Sequence, residues 1–217
     1  MQTLGNQTQF AIANAYGNAV VMSAITNATE AVATLAAGHA LVVGDCVEVT
    51  SGWARADRRI FRVKAVATND VTLEGLNTTS TTLFPAGGGA GSVRRIASAA
   101  WTTLTQIADV SRSGGELQFT PSDTLDDIEG RQLPTVRSPA SLTLTLYDDP
   151  ALPWFATVST ASDARTPTAL RITLANGAKI FANAIWSIDS QPDIKKNEVL
   201  KVGLQLTYVS AATRYST

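Results

Sequence analysis

The chain has 217 residues, 45 % of them hydrophobic, enough for a proper core and too many for a disordered polymer. Its 17 basic and 18 acidic residues leave a formal net charge of −1, a poor basis for gripping nucleic-acid phosphates, which needs clustered Lys and Arg. One cysteine, Cys46, excludes an intrachain disulfide; Met1 to Thr8 has no basic stretch followed by an apolar run, and the longest apolar runs fall short of a membrane span, so a soluble protein made in a cytoplasm is expected.

The first strand is expected over Thr8 to Ala15, with Phe10 and Ile12 on one face and a turn around Gly17 after it. Extended segments follow at Val20 to Ile25, Ala31 to Leu35 and Asp45 to Thr50, the last ended by Ser51-Gly52. Arg59 to Val66 alternates, with Ile60 and Arg62 on one face and Phe61, Val63 and Ala65 on the other. Asn69-Asp70 reads as a tight turn, and Val71 to Gly75 completes a hairpin. Short strands this closely spaced indicate a small barrel. Phe84 to Ser92 is rich in glycine and reads as a flexible surface loop. A phosphate cradle would need a helix after it, whereas Val93 to Ile96 continues as a strand.

Trp101 to Val110 reads as one strand, Gly114-Gly115 as a turn and Leu117 to Thr120 as another strand. Pro121 to Pro139 holds three prolines and four acids without a period, and so long an irregular segment in a compact domain is generally functional or disordered. Ser141 to Tyr147 alternates, apolar at Leu142, Leu144 and Leu146. Asp148-Asp149-Pro150 is a helix-start signal, placing a short helix over Ala151 to Ala161 with Trp154, Phe155 and Val158 inward. Asn176-Gly177 joins two strands as a hairpin, and a last strand from Val199 is apolar at Leu200, Val202, Leu204, Leu206 and Tyr208. Each alternating segment is expected to bury one face and leave the other polar. The fold class is therefore all-β with one short helix, a protein whose sheets display edges and whose purpose is assembly before chemistry.

The acid–base repertoire is thin. His39 is the only histidine, has no second ligand at a metal spacing, and reads as a turn residue bonded to backbone. Cys46 reads as a buried, inert thiol. Asp123, Asp126, Asp127 and Glu129 lack the alternating ligands and central glycine of a calcium loop; they read as a solvated acidic loop with Arg131 and Arg137 as possible partners. Arg55, Arg58 and Arg59 form a short solvated cluster, and Trp53, Trp101, Trp154 and Trp186 lie too far apart for a base-stacking platform. No catalytic residue, cofactor or metal is expected.

The order of these elements resembles the major tail tube protein of long-tailed bacteriophages with non-contractile tails, the lambda-like siphophages. The resemblance is carried by Trp101 to Val110, by Gly115 to Thr120 with the acidic loop Asp123 to Gly130, by the hairpin Leu170 to Ile188, and by the strand within Lys196 to Thr207. It implies a tail-tube-type β-sandwich or barrel from residues 1–19 and 97–217. The inserted small β-barrel domain at 20–96 is similar to a module of phage structural proteins and is expected on the tube exterior. It further implies hexameric rings that stack into a tube conducting DNA during ejection, with Asp123, Asp126, Asp127, Glu129, Arg131 and Arg137 in a ring-to-ring assembly loop. The implied partners are other copies of the chain, a tape-measure protein, and tail terminator and tip proteins. DNA passes the lumen without specific binding and no membrane is involved; the implied location is the virion tail, after assembly in the host bacterial cytoplasm. Two other readings are a tail terminator or head-tail connector ring subunit, and a virion-surface carbohydrate-binding module resting on Trp53.

Overall fold

The computed structural model describes residues 6–124 and 128–216. Strand β1 (Gln9–Ala13) opens the chain and is followed by six strands, β2 (Ala19–Ile25), β3 (Val32–Leu35), β4 (Cys46–Ser51), β5 (Arg59–Ala67), β6 (Asp70–Leu73) and β7 (Gly91–Ile96). These six close into a barrel in the order β2-β3-β6-β5-β4-β7. Closure pairs every edge within the barrel, and Met22, Leu35, Val47, Val49, Phe61, Val63, Leu73 and Val93 fill it. The β5–β6 turn lies one residue earlier than expected: Ala67 pairs with Asp70, and Thr68 takes the left-handed conformation at φ 55°.

Two short links join the barrel to the rest of the chain, and they lie side by side. Asn14 N donates to Ala100 O at 3.1 Å, Gly17 N to Arg95 O at 2.8 Å, and the Asn14 amide to Thr102 Oγ1 at 2.9 Å.

The second body is one sheet. Its strands are β1, β8 (Trp101–Leu104), β9 (Ile107–Ser113), β12 (Ser141–Tyr147), β13 (Thr168–Thr173), β14 (Lys179–Ile188), β15 (Lys201–Tyr208) and β16 (Thr213–Tyr215); a separate pair, β10 (Leu117–Pro121) and β11 (Gln132–Arg137), stands apart. The order is β8-β1-β13-β14-β15-β12-β9, with β16 on β14 where β15 ends. The expected strand Trp101 to Val110 is thus two strands, broken at Gln106 with φ 62°. That break shapes the sheet. β8 and β9 occupy its opposite edges, six interstrand spacings or about 29 Å apart if flat. Yet three Cα steps from Leu104 to Ile107 span at most about 11 Å. The sheet must therefore curl until its edges converge.

Inside the curl lie Phe10, Ile12, Leu104, Leu142, Leu144, Leu146, Leu170, Trp186, Leu204 and Leu206, against Trp154 and Val158 of helix α1 (Pro153–Ala164). The helix begins two residues later than expected. Leu152 is the extended N-cap and Pro153 supplies the preset φ of the first turn, while Asp149 is spent on an earlier turn, accepting from Ala151 N at 3.2 Å. The Asn176-Gly177 hairpin forms as expected, with Gly177 at φ 84°.

The expectation that strands bury one face fails at the junction between the two bodies. Val47, Glu48 and Val49 are buried in succession, as are Ile60 and Phe61, and Phe181 through Ala184. The second face of β4, β5 and β14 is covered because barrel and sheet pack on each other through Ala13, Ile60, Ile96, Ala169, Phe181 and Tyr215. Alternating sequence reports one packed face; where another body covers the reverse face, apolar Ile60 and Phe181 sit beside Glu48 and Asn183, so that face carries a mixed pattern that alternation does not report.

Candidate assembly surface

Beyond the sheet, the β9–β12 pair continues as the β10–β11 ribbon. At its root Gly114 and Gly115 adopt φ 72° and 80°, and a Cβ on Gly114 would stand 2.1 Å from Pro139 O. Only glycine fits a left-handed residue at that approach. The root is then tied by Gly115 N to Ser138 O at 3.1 Å, Ser138 N to Glu116 O at 2.9 Å, and the Ser113 and Ser141 hydroxyls at 2.7 Å. Six residues of the segment expected to be irregular, Gln132–Arg137, form strand β11. Pro134 hid it from the sequence pattern; a ribbon with two free edges tolerates a proline that a central strand would not.

Every residue of β10 and β11 is exposed. Phe119 sits opposite Pro134 and Leu117 opposite Arg137, while Thr120 sits opposite Leu133 on the reverse face. Phe119 is 54 % exposed, Leu133 56 % and Val136 74 %, so large apolar side chains point away from both faces with nothing over them. A lone two-stranded ribbon is marginal in water, and bare large apolar side chains on both its faces leave surface for a partner to cover. Sequence reasoning missed Leu117, Phe119, Leu133 and Val136; their sole signal was short alternation on either side of the acidic stretch.

Of the expected assembly residues, Asp123, Glu129 and Arg131 lie at the ribbon tip and Arg137 at its root, while Asp126 and Asp127 fall outside the described residues. At the tip the Asp123 carboxylate accepts from Arg131 N, and Ser122 N donates to Arg131 O at 2.9 Å. Arg137 reaches Gly115 O at 3.3 Å instead of an acid. Beneath the ribbon, β9 pairs with β12 alone, and its residues after Ile107 are exposed.

The remaining candidates make local packing and hydrogen-bond contacts. His39 Nδ1 accepts from Leu41 N at 3.1 Å, so Nε2 carries the proton donated to Thr68 O at 2.8 Å. Cys46 is half-buried at the junction, and burial pushes its thiol up to about 11. Arg59 is not merely solvated: its guanidinium stacks 4.9 Å from the Phe61 ring centre and reaches Thr213 Oγ1 at 3.2 Å, and burial lowers its pKa. Trp53 is 2 % exposed, its indole donating to Pro85 O at 2.8 Å and meeting Phe84 edge-on, so it offers no face to a sugar. The glycine-rich loop packs over that indole instead of moving freely; a Cβ on Gly89 would lie 2.3 Å from Ile25 and 2.8 Å from Trp53. Among the described residues no three His, Cys, Asp or Glu side chains gather as metal ligands, and no helix is long and apolar enough to cross a membrane.

A curled β-sheet that carries a closed barrel and extends a bare ribbon, with no clustered metal-ligand side chains among the described residues, is the architecture of a structural protein with surface left to cover. The model of the phage tail tube protein family matches residues 51–217, and the chain belongs to that family. It is a structural protein of the virion tail. The match begins at the last residue of β4 and takes in β5 to β7 with most of the curled sheet. Two solved structures are similar over part of the chain. One is the 6-fold symmetrised baseplate of the anti-feeding prophage, at 16 % identity and TM-score 0.39, covering 54 % of this chain and 84 % of that one. The other is the tube-terminating cap of the same particle, at 19 % identity and TM-score 0.35, covering 49 % and 79 %. No curated protein sequence matches the chain.

Proposed function

We propose that copies of this chain close into hexameric rings and that the rings stack into the tail tube through which phage DNA leaves the capsid. The observation that carries this reading is the β10–β11 ribbon, apolar on both faces and covered on neither, beside the edge strand β9 that pairs on one side only. Such a surface is completed by a neighbour's strand or face. Residues 1–19 and 97–217 form the tube body in this reading, and 20–96 the exterior barrel. The barrel suits that position because it has already paired its own edges. The assembly loop comprises Asp123, Asp126, Asp127, Glu129, Arg131 and Arg137. Tape-measure, terminator and tip proteins meet the tube along its length and at its ends, DNA passes without specific binding, and the role is not enzymatic. Assembly takes place in the host bacterial cytoplasm and the product resides in the virion tail.

Negative-stain electron microscopy of the concentrated protein tests this directly. Six-membered rings in stacks are expected. Protein that stays monomeric at every concentration sinks the proposal, and rings that never stack move the chain to the terminator reading.

A further inference from the structure

Two guanidinium groups converge at the ribbon root without an acid between them. Arg112 Nη2 lies 3.4 Å from where a Gly115 Cβ would stand, and Arg137 Nη1 is 3.3 Å from Gly115 O. Neither arginine makes an ion pair among the described residues. They line a cleft of about 530 Å³ with Pro139, Ala140, Tyr208 and Val209, open between the ribbon and the end of β15. The Arg112 charge is felt at the Tyr208 hydroxyl, whose pKa burial raises and this arginine partly lowers. Two like charges held in one cleft, with an apolar wall, call for an anionic guest that also brings carbon.

The chain carries such a guest at the other end of the ribbon, where exposed Asp123 and Glu129 flank an Ile128 that is wholly exposed. It cannot reach its own cleft. Strand β10, Leu117–Pro121, by itself sets tip and root at least about 13 Å apart, farther than an aspartate side chain reaches. We infer that the acidic ribbon tip of one copy, through Asp123 and Glu129, docks in the Arg112–Arg137 cleft at the ribbon root of a second copy. This rests on the tail-tube reading and names where the arm of that assembly lands. The contact is head-to-tail, so each copy offers one tip and one root, and the interaction propagates from copy to copy. Its exposed ion pairs are individually weak and are screened by salt.

Charge reversal tests the pairing, followed by light scattering and negative stain. Wild type is expected to assemble on concentration and to need more protein as salt rises. Arg112→Glu/Arg137→Glu and Asp123→Lys/Glu129→Lys are each expected to require at least about tenfold more protein. An equimolar mixture of the two restores both contacts in alternation, and the fourfold variant restores them in one chain, so both should assemble near the wild-type concentration. Either double variant assembling like wild type, or no recovery in mixture and fourfold variant although all melt normally, overturns tip-to-root docking and leaves the tube reading standing. A wild type that never assembles removes the tube reading itself. Should the reversals fail to fold, Arg112→Gln/Arg137→Gln serves, with a smaller shift expected and no shift counting against the contact. A short duplex DNA bound by wild type and released by Arg112→Glu/Arg137→Glu would make the cleft a phosphate site and overturn the inference.

Discussion

Across the boundary between barrel and sheet, the Asn183 amide of β14 donates a 2.7 Å hydrogen bond to the Glu48 carboxylate of β4, both side chains being buried. The other Glu48 oxygen takes Arg94 at 2.5 Å, and Arg94 stacks on Tyr16, whose hydroxyl accepts from Ala169 N at 2.7 Å. A buried carboxylate is tolerated only when hydrogen-bonded and paired, so this chain of contacts fixes the barrel's orientation on the sheet. Asn183→Ala should cost about 1–3 kcal/mol by leaving Glu48 short of a donor, a fall in melting temperature of roughly 2–12 °C. Differential scanning calorimetry reads it; an unchanged melt would mean the bond is not made in solution.

The C-terminal strand straps the barrel down. Tyr215 OH accepts from Arg62 N at 2.9 Å and donates to Glu74 O at 3.1 Å, while its ring meets Phe181 and the Arg62 guanidinium. Tyr215→Phe keeps the ring contacts and removes both hydrogen bonds, and is expected to cost about 1–3 kcal/mol. Hydrogen exchange should show faster opening in β5 and β16 than in β12 or β15; uniform exchange would argue against a strap.

The junction should loosen in base. Burial pushes Tyr16 and Tyr215 up to about 12 and Cys46 up to about 11. Each is neutral in the fold and ionises more readily once unfolded, from ordinary values of 10.0 for tyrosine and 9.0 for cysteine. The stability they lend is therefore complete below about pH 9 and is lost as pH rises towards 11 and 12. Melting temperature should fall over that window, less so in Cys46→Ser and Tyr215→Phe. A flat profile would contradict the burial assigned to these groups. Cys46 should also resist alkylation at neutral pH in the native protein and react once it unfolds.

The glycine-rich loop closes one end of the barrel by contact with Trp53. Gly89→Ala is expected to cost about 1–3 kcal/mol by overpacking and Trp53→Ala about 3–5 kcal/mol by leaving a cavity. Urea titrations would show both, and a Gly89→Ala variant as stable as wild type would return this loop to the surface.

At the ribbon root the penalty should fall on assembly more than on folding. Gly114→Ala places a methyl against Pro139 O in a left-handed residue, which the exposed ribbon relieves by turning away from its axis. Core packing is untouched, so the melt should shift little while rings and tubes fail to form. Normal tubes from this variant would show that the aim of the ribbon does not matter.

Much of the fold is legible in residue order. Leu142, Leu144 and Leu146, or Val202, Leu204 and Leu206, announce strands because side chains alternate across a pleat and one face is dry. Asn176-Gly177 announces its hairpin because glycine takes the positive φ that closes it. His39 was legible as a turn residue bonded to backbone, and its ring does contact Leu41 N and Thr68 O. Of the proposed assembly surface, Asp123, Glu129 and Arg137 stand out in the sequence by charge, whereas Phe119, Leu133 and Arg112 draw notice only once a ribbon places them.

Local order along the chain determined which segments extend and where they turn, since these depend on neighbours a few residues apart. Only the tertiary structure decided that Leu104 and Ile107 belong to opposite edges of one curled sheet, that Trp53 is walled in, and that Glu48 meets Asn183. Those facts depend on pairs separated by tens to more than a hundred residues, and what brings such pairs together is the burial of whole faces, which no local pattern of side chains encodes.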